Sequence, residues 1–398
     1  MKKITPKLRF NGFEQNWQSN SFGQIVSNKS KKYNPSLADE DFPCIELDCV
    51  SQESGQLLKT YSAKQQSSIK NVFFQGDVLF GKLRPYLKKY LYTTFDGVCS
   101  TEFWVLTGKQ VTNKFLYQYI QTNTFVESAK KSSGSKMPRA DWDIVSSEQF
   151  YFPSDKEQNK IADFLSLVDE NITLQTLKVE LLQQYKKGMM QKLFSQKIRF
   201  KDNDGNDFPK WSTFLLKDVA DRVTRKNDEN NQNILTISAQ HGLIDQMTYF
   251  NKQIASKNVT QYYLIHYGEF AYNKSYSLGY PMGAIKMLTQ YDKGVVSTLY
   301  ICFKFKEGCV NRFYQHYFES GLQNNAIQKV AQEGARNHGL LNIGVNDFFN
   351  IEILTPCYDE QVKIANFLSS IDDKVTLEKT KLDKLKQWKQ GLLQQMFV

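Results

Sequence analysis

"EQNKIADFLSLVDENITLQTL" runs from Glu157 to Leu177, and "EQVKIANFLSSIDDKVTLEKT" runs from Glu360 to Thr380. The separation is 360 − 157 = 203 residues, and it holds without a gap to Phe194 and Phe397. Apolar residues recur in an alternating four-three spacing: Ile161, Leu165, Val168, Ile172, Val179, Leu182, Met189 and Leu193. The second copy answers with Ile364, Leu368, Ile371, Val375, Leu382, Leu385, Leu392 and Met396. That spacing is the seam of a coiled coil. Gln175 and Lys186 break the first seam where Glu378 and Lys389 break the second. Pro153 and Pro356 precede the two segments, and Ser154, Asp155, Glu157, Gln158 and Asp359 read as N-caps with capping-box partners. Each helix would be roughly 57 Å long at 1.5 Å per residue. A helix polar outside one stripe needs a partner, either its own domain or the other long helix. Matched seams with matched breaks favour an antiparallel pair. Lys186 is then expected near Asp372 and Asp373, and Lys389 near Asp169 and Glu170.

The repetition extends outward from these segments. "PKLRF" (6–10) resembles "QKIRF" (196–200), and Trp17 and Trp211 each open a short apolar stretch. "GDVLFGK" (76–82) matches "GEFAYNK" (268–274), and "GVCST" (97–101) matches "GVVST" (294–298). "NKFLYQYI" (113–120) matches "NRFYQHYF" (311–318). The offset drifts from 190 to 203, as surface loops of unequal length would make it. Six matches in one order mark a tandem duplication. The expected organisation is a first globular block at 1–153, a helix at 154–196, a second block at 197–356 and a second helix at 357–398.

Within the blocks, "FPCIELDCV", "DVLFGKL", "KYLYTTF" and "TEFWVLTG" read as strands, with "NILTISA", "GEFAYNK", "GAIKML" and "STLYICFKF" in the second copy. "NKFLYQYIQTNTFVESAKK" (113–131) reads as one amphipathic helix, and another starts at Asn311. The fold class is α/β (α+β): two mixed-sheet blocks joined and separated by two long antiparallel coiled-coil helices.

Composition narrows the function. A hydrophobic fraction of 41% with 14% aromatics suits a folded chain rather than a disordered one. The net charge of +10 is compatible with an anionic partner. It divides as about +5 over residues 1–155, +1 over 156–196, +3 over 197–358 and +1 over 359–398, so the surplus lies in the blocks. Six cysteines without CxxC spacing argue against a zinc site or disulfide framework and suit a reducing cytoplasm. No signal-peptide core follows the first lysines, and no apolar run spans a membrane.

No phosphate-binding GxxxxGK[ST], no GxGxxG after a strand and no HExxH is present, and the four histidines are dispersed. His316, among Tyr314, Tyr317 and Phe318, reads as a core or boundary histidine. "NPSL" (34–37) is not the Asn-Pro-Pro-aromatic motif of an amino-methyltransferase. The expectation is a non-catalytic chain without metal. What remains are matched loops rich in basic, amide and aromatic residues. "FGKLRPYLKKY" (80–90) carries Lys82, Arg84, Tyr86 and Lys88, and "SSGSKMPRADW" (132–142) carries Lys136 and Arg139. The second copy offers Lys274 and Tyr276 in "YNKSYSLGYPMG" (272–283), and Arg336, Asn337 and His338 in "EGARNHG" (333–339). Arg and Asn suit bidentate contacts to guanine and adenine, Lys suits phosphate, and tyrosine can stack. Solvated surface charge is the bland alternative.

Two variable α/β blocks, each followed by "EQxKIAxFL…D…L…KxGxxQ" helices at Glu157–Phe194 and Glu360–Phe397, resemble the specificity subunits of type I restriction–modification systems. "IRFKD…FPKW" (198–211) and the shorter "LRF…W" (8–17) belong to the same resemblance, which covers essentially the whole chain. It implies two target recognition domains, each reading one half of a bipartite, asymmetric double-stranded DNA site. The helices would set half-site spacing and dock methyltransferase subunits, with Ile161, Leu165, Val168, Ile172, Leu182, Ile364, Leu368, Ile371, Val375 and Leu385 as the spacer and docking positions. Restriction subunits would join that assembly. It further implies that S-adenosylmethionine, ATP and magnesium belong to partner subunits and that this chain binds no cofactor. A related phage-defence or type II-like methyltransferase component, or a protein-only scaffold, are the alternatives.

Overall fold

The computed structural model describes residues 4–131, 137–250, 259–331 and 341–398. Its contacts divide the chain into two units: residues 1–177 with 379–398, and residues 178–378. The division cuts both long helices, Asp155–Phe194 and Tyr358–Met396, near their middles. Each unit therefore holds one block, the first half of the helix that follows it and the last half of the other long helix.

In the first unit a four-stranded antiparallel sheet runs Val26–Ser27, Phe103–Gly108, Val78–Gly81, Tyr90–Tyr92. A five-stranded mixed sheet contains the parallel pair Pro43–Ile45 and Gly97–Ser100. The second unit repeats the four-stranded sheet with Ala220–Val223, Ile301–Phe305, Phe270–Asn273 and Ala284–Met287. In place of the five-stranded sheet it has two antiparallel pairs, Leu235–Ser238 with Gly242–Asp245 and Tyr263–His266 with Lys293–Val296. Val78–Gly81, Leu235–Ser238 and Ala284–Met287 are buried at every position, so these strands are short continuous runs rich in β-branched and other apolar residues, covered on both faces, rather than alternating ones.

The segment 113–131 forms two helices rather than one, Asn113–Tyr119 and Asn123–Lys130. Thr122 is the reason: its hydroxyl accepts the Phe125 N–H and starts a new helix. The second copy breaks likewise, after Ser320, at Gly321 with φ +82°.

Both long helices bury their first turns against the preceding block and their last turns in the other unit's core. In the first unit, Ile161, Leu165 and Val168 share a core with Leu392, Leu393, Met396 and Phe397, with Ile172 at its margin. In the second, Ile364, Leu368, Ile371 and Val375 share one with Met190, Leu193 and Phe194, with Leu182 at its margin. Leu385 is half-buried, and Met190 rather than Met189 is the buried methionine of the first seam. Within each unit the two halves are antiparallel, as the seams predict.

The EQ dipeptides do something other than capping. Arg9 donates to both carboxylate oxygens of buried Glu157, at 2.7 and 2.8 Å, and its Nη2 also donates to the Gln15 carbonyl. Arg199 does the same to buried Glu360, at 3.0 and 2.6 Å, and to the Pro209 carbonyl. Gln158 accepts the Thr112 N–H and donates to the Pro153 carbonyl; Gln361 accepts the Val310 N–H and donates to the Pro356 carbonyl. These two residues weld the helix start to its block. A charge pair this deeply buried is tolerable because each carboxylate is bidentate on an arginine.

Two polar hubs interrupt the seams. Lys389 pairs with Asp169, while Gln118 Nε2 donates to Asp169 at 3.2 Å and Gln121 Oε1 accepts from Lys389. Lys186 lies 2.7 Å from Asp372 and 3.1 Å from Glu319, with the buried His316 Nδ1 3.7 Å from Glu319. Of the carboxylates expected at the two lysines, Asp372 meets Lys186 and Asp169 meets Lys389. Among the described residues, no helix is long and apolar enough to cross a membrane.

Candidate nucleic-acid interface

In the first unit the strand Val78–Gly81 delivers Lys82 to the surface. The Lys82 N–H donates to the Glu102 carbonyl, and the Ala140 N–H donates to the Lys82 carbonyl, both at 2.8 Å. The Arg84 N–H donates to the Pro138 carbonyl at 2.8 Å, and Leu83 bridges Arg139. The two loops singled out in the sequence are thus one laced surface. Its backbone is strained: Arg84 and Lys88, flanking the single turn Pro85–Leu87, have φ of +53° and +47°. Non-glycine residues in that region cost on the order of 1–3 kcal/mol each and concentrate at functional loops.

The surrounding structure holds that strain in place. The Glu53 N–H donates to the Lys88 carbonyl, the Tyr90 hydroxyl donates to the Glu53 carbonyl, and the Lys88 ammonium lies 3.6 Å from Glu53. Arg139 forks onto Glu102 at 3.2 and 3.3 Å, which presents its guanidinium in a fixed direction. Arg84 is exposed and Tyr86 is 46% exposed.

The second unit builds the same surface from Phe270–Asn273. The Leu341 N–H donates to the Lys274 carbonyl at 3.0 Å, repeating the Ala140–Lys82 bond. Asn273 Oδ1 accepts the Ser275 N–H. Beyond it, Ser277 and Tyr280 close a tight turn with Gly279 at φ +83°, a conformation that glycine adopts at no steric cost. Tyr276 is 61% exposed. Lys136, Arg336, Asn337 and His338 lie outside the described residues. Sequence reasoning passed over the exposed Leu278, in the loop after Lys274, and the exposed Leu299, because only basic, amide and aromatic residues were singled out. The signal was an apolar residue before a turn glycine in "YSLGY".

No group of three or more potential metal-ligating side chains occurs among the described residues. Burial pushes the Cys44 thiol up to about 12, which leaves it an inert core residue. The surfaces can offer fixed cations, backbone groups and apolar tips to a polyanion, which is binding chemistry.

Comparison with known proteins agrees. The family described as "Type I restriction modification DNA specificity domain" matches residues 14–184 and again 209–387. The EcoDI type I restriction enzyme specificity subunit of Escherichia coli is 32% identical over 96 residues, 24% of this chain and 21% of that protein. The HindI specificity subunit of Haemophilus influenzae is 26% identical over 198 residues, 45% of this chain and 40% of that protein. The chain thus spans less than half the length of these curated relatives. The solved type I restriction–modification S subunit from M. genitalium has the same fold, with a TM-score of 0.56 at 14% identity over 99% of both chains. With the family's domain matched twice across most of its length, this chain belongs to the type I restriction–modification DNA specificity family.

Proposed function

We propose that this chain is the sequence-reading subunit of a type I restriction–modification assembly. Blocks 1–153 and 197–356 each read one half of a bipartite, asymmetric duplex site. The long helices fix the half-site spacing and dock methyltransferase subunits, and restriction subunits join that complex. S-adenosylmethionine, ATP and magnesium are bound by the partners, so adenine methylation and ATP-dependent cleavage are activities of the assembly. The observation that carries this reading is the laced surface around Lys82, repeated around Lys274 by the same backbone bond. Arginine there suits guanine, and lysine suits phosphate.

Genome-wide methylation mapping with and without the chain tests it. One bipartite motif should vanish when the chain is absent. Arg84→Ala and Arg139→Ala should relax or weaken one half-site only, by about 1–3 kcal/mol per lost base contact. Equal loss at both halves would contradict the assignment. Four residues inserted beside Gln175 should change the spacing and leave both half-site sequences intact. A changed half-site at constant spacing would remove the spacer role.

A further inference from the structure

The two reading surfaces differ at matching positions. Four residues beyond Lys82 stands Tyr86; four beyond Lys274 stands Leu278, 85% exposed. After "GVCST" comes Glu102, which holds Arg139 and accepts the Lys82 N–H; after "GVVST" comes Leu299, 72% exposed. Scattered exposed leucines need no explanation. Here, however, two of the most exposed apolar side chains among the described residues stand where the first copy has an aromatic and a charged residue. Leu278 is also held firmly. The Tyr280 N–H donates to the Ser277 carbonyl at 2.8 Å, and Lys286 Nζ reaches the Tyr280 hydroxyl at 3.1 Å and lies 4.7 Å from its ring. Tyr272 Oη, behind the turn, donates to the Met282 carbonyl at 2.8 Å. A leucine on a closed, anchored turn loses little freedom on binding.

We propose that the second unit reads its half-site through Leu278 and Leu299 in apolar contact with thymine 5-methyl groups. The methyl is the apolar feature of the base-pair edges in the major groove, and a leucine has no donor or acceptor for the rest. The inference rests on the DNA-reading function proposed above. Removing one buried methyl contact weakens binding by about fourfold, taking about 0.8 kcal/mol per carbon.

The test uses the full chain, co-produced with its methyltransferase subunits, and a duplex carrying the site mapped by methylation. Each thymine is replaced in turn by deoxyuridine, which removes only the methyl. The wild-type complex should bind about fourfold more weakly at one or more replaced thymines, all in one half-site. Leu278→Ala or Leu299→Ala should abolish that sensitivity and weaken binding to the all-thymine duplex by a similar factor, whereas Leu278→Met should keep it. Equal binding of every deoxyuridine duplex, or a sensitivity that survives in both alanine variants, would overturn the inference. So would a Leu278-dependent rise in 2-aminopurine fluorescence without any deoxyuridine effect, which would assign the leucine to unstacking a base step. Absence of site-specific binding by the wild type would be a different failure, that of the DNA-reading function itself.

Discussion

The two polar hubs have the same geometry and different electrostatics. In each, a lysine from the last half of one long helix meets an aspartate from the first half of the other, beside a short helix of the block. Gln118 and Gln121 of the first unit correspond to His316 and Glu319 of the second. Lys389 therefore faces one carboxylate, and Lys186 faces two. The consequences diverge. Burial pushes the Lys389 ammonium below its ordinary value despite Asp169. Burial acts on Lys186 too, but Glu319 and Asp372 outweigh it and raise the group. Duplication preserved the position of the buried cation, while its stabilisation drifted. A buried charge tolerates such drift because the requirement is compensation, not a particular partner.

The largest test of this two-unit view concerns helix ends rather than hubs. Phe194, at the end of the first long helix, packs on Trp211 and Phe313 with centroids 6.3 and 5.7 Å apart. Phe397 packs on Trp17 and Phe115 at 6.5 and 5.1 Å. Truncating a buried phenylalanine costs about 3–5 kcal/mol. Phe194→Ala should lower hydrogen-exchange protection in Ile301–Phe305, and Phe397→Ala in Phe103–Gly108. Each loss falls in the unit that the helix end enters, not in the block that precedes the helix. Protection lost in the preceding block instead would break the comparison.

Acid should separate the units next. Burial alone would raise the Glu319 carboxyl, but His316 and Lys186 overcome it and hold the group down at about 2. A carboxylate lowered in the folded state adds stability above its unfolded pKa, ordinarily about 4.3–4.5. That stability is lost as pH falls from there towards about 2. The contribution is on the order of 3 kcal/mol. Exchange protection of the second unit should therefore fall across this window, and Glu319→Gln should flatten that dependence. Gln121 occupies the matching place in the first unit, which has no such carboxylate to titrate there. Lys186→Met should be the more damaging lysine substitution, because it leaves two carboxylates together, whereas Lys389→Met leaves one that Gln118 still donates to. Equal thermal shifts for the two variants would show that the second carboxylate adds nothing.

The parts legible in the sequence were those written locally and twice. Matched heptads located the seam, and matched breaks placed Lys186 against Asp372 and Lys389 against Asp169. The EQ dipeptides misled because their partners are remote: Arg9 is 148 residues from Glu157, and no local pattern joins them. Capping was the nearest local explanation available. The strands Lys70–Phe73 and Gly97–Ser100 are short and gain their stability from neighbours across the sheet, so their own sequence is weak evidence. Lys82 and Arg139 were recognised as separate loops, and only backbone bonding unites them. Leu278 was passed over for another reason: hydrophobicity marks burial on average, and an exposed leucine carries the same letter as a core one.

The smallest effect probes the welds, which are otherwise alike. Trp211 Nε1 donates to Glu360 Oε2 at 3.0 Å, so this carboxylate accepts from two residues of the second block, Arg199 and Trp211. Trp17 occupies the matching place, but its buried Nε1 has no hydrogen-bond partner among the described residues. Burying an indole N–H unpaired forfeits hydration without return, whereas a bond to a charged acceptor contributes about 1.5–3 kcal/mol. Phenylalanine removes the donor and some ring volume in both places, so the volume loss cancels in the comparison. Trp211→Phe should therefore destabilise the second unit by about 1–2 kcal/mol more than Trp17→Phe destabilises the first. Denaturant unfolding, followed by hydrogen exchange in each unit, reads this difference. Equal losses would mean that Trp17 finds a donor's partner in solution, a buried water bridging it to Glu157 being the simplest arrangement. That result would make the two welds energetically equivalent and leave the hubs, the loop surfaces around Lys82 and Lys274, and the second sheets as the places where the copies diverge.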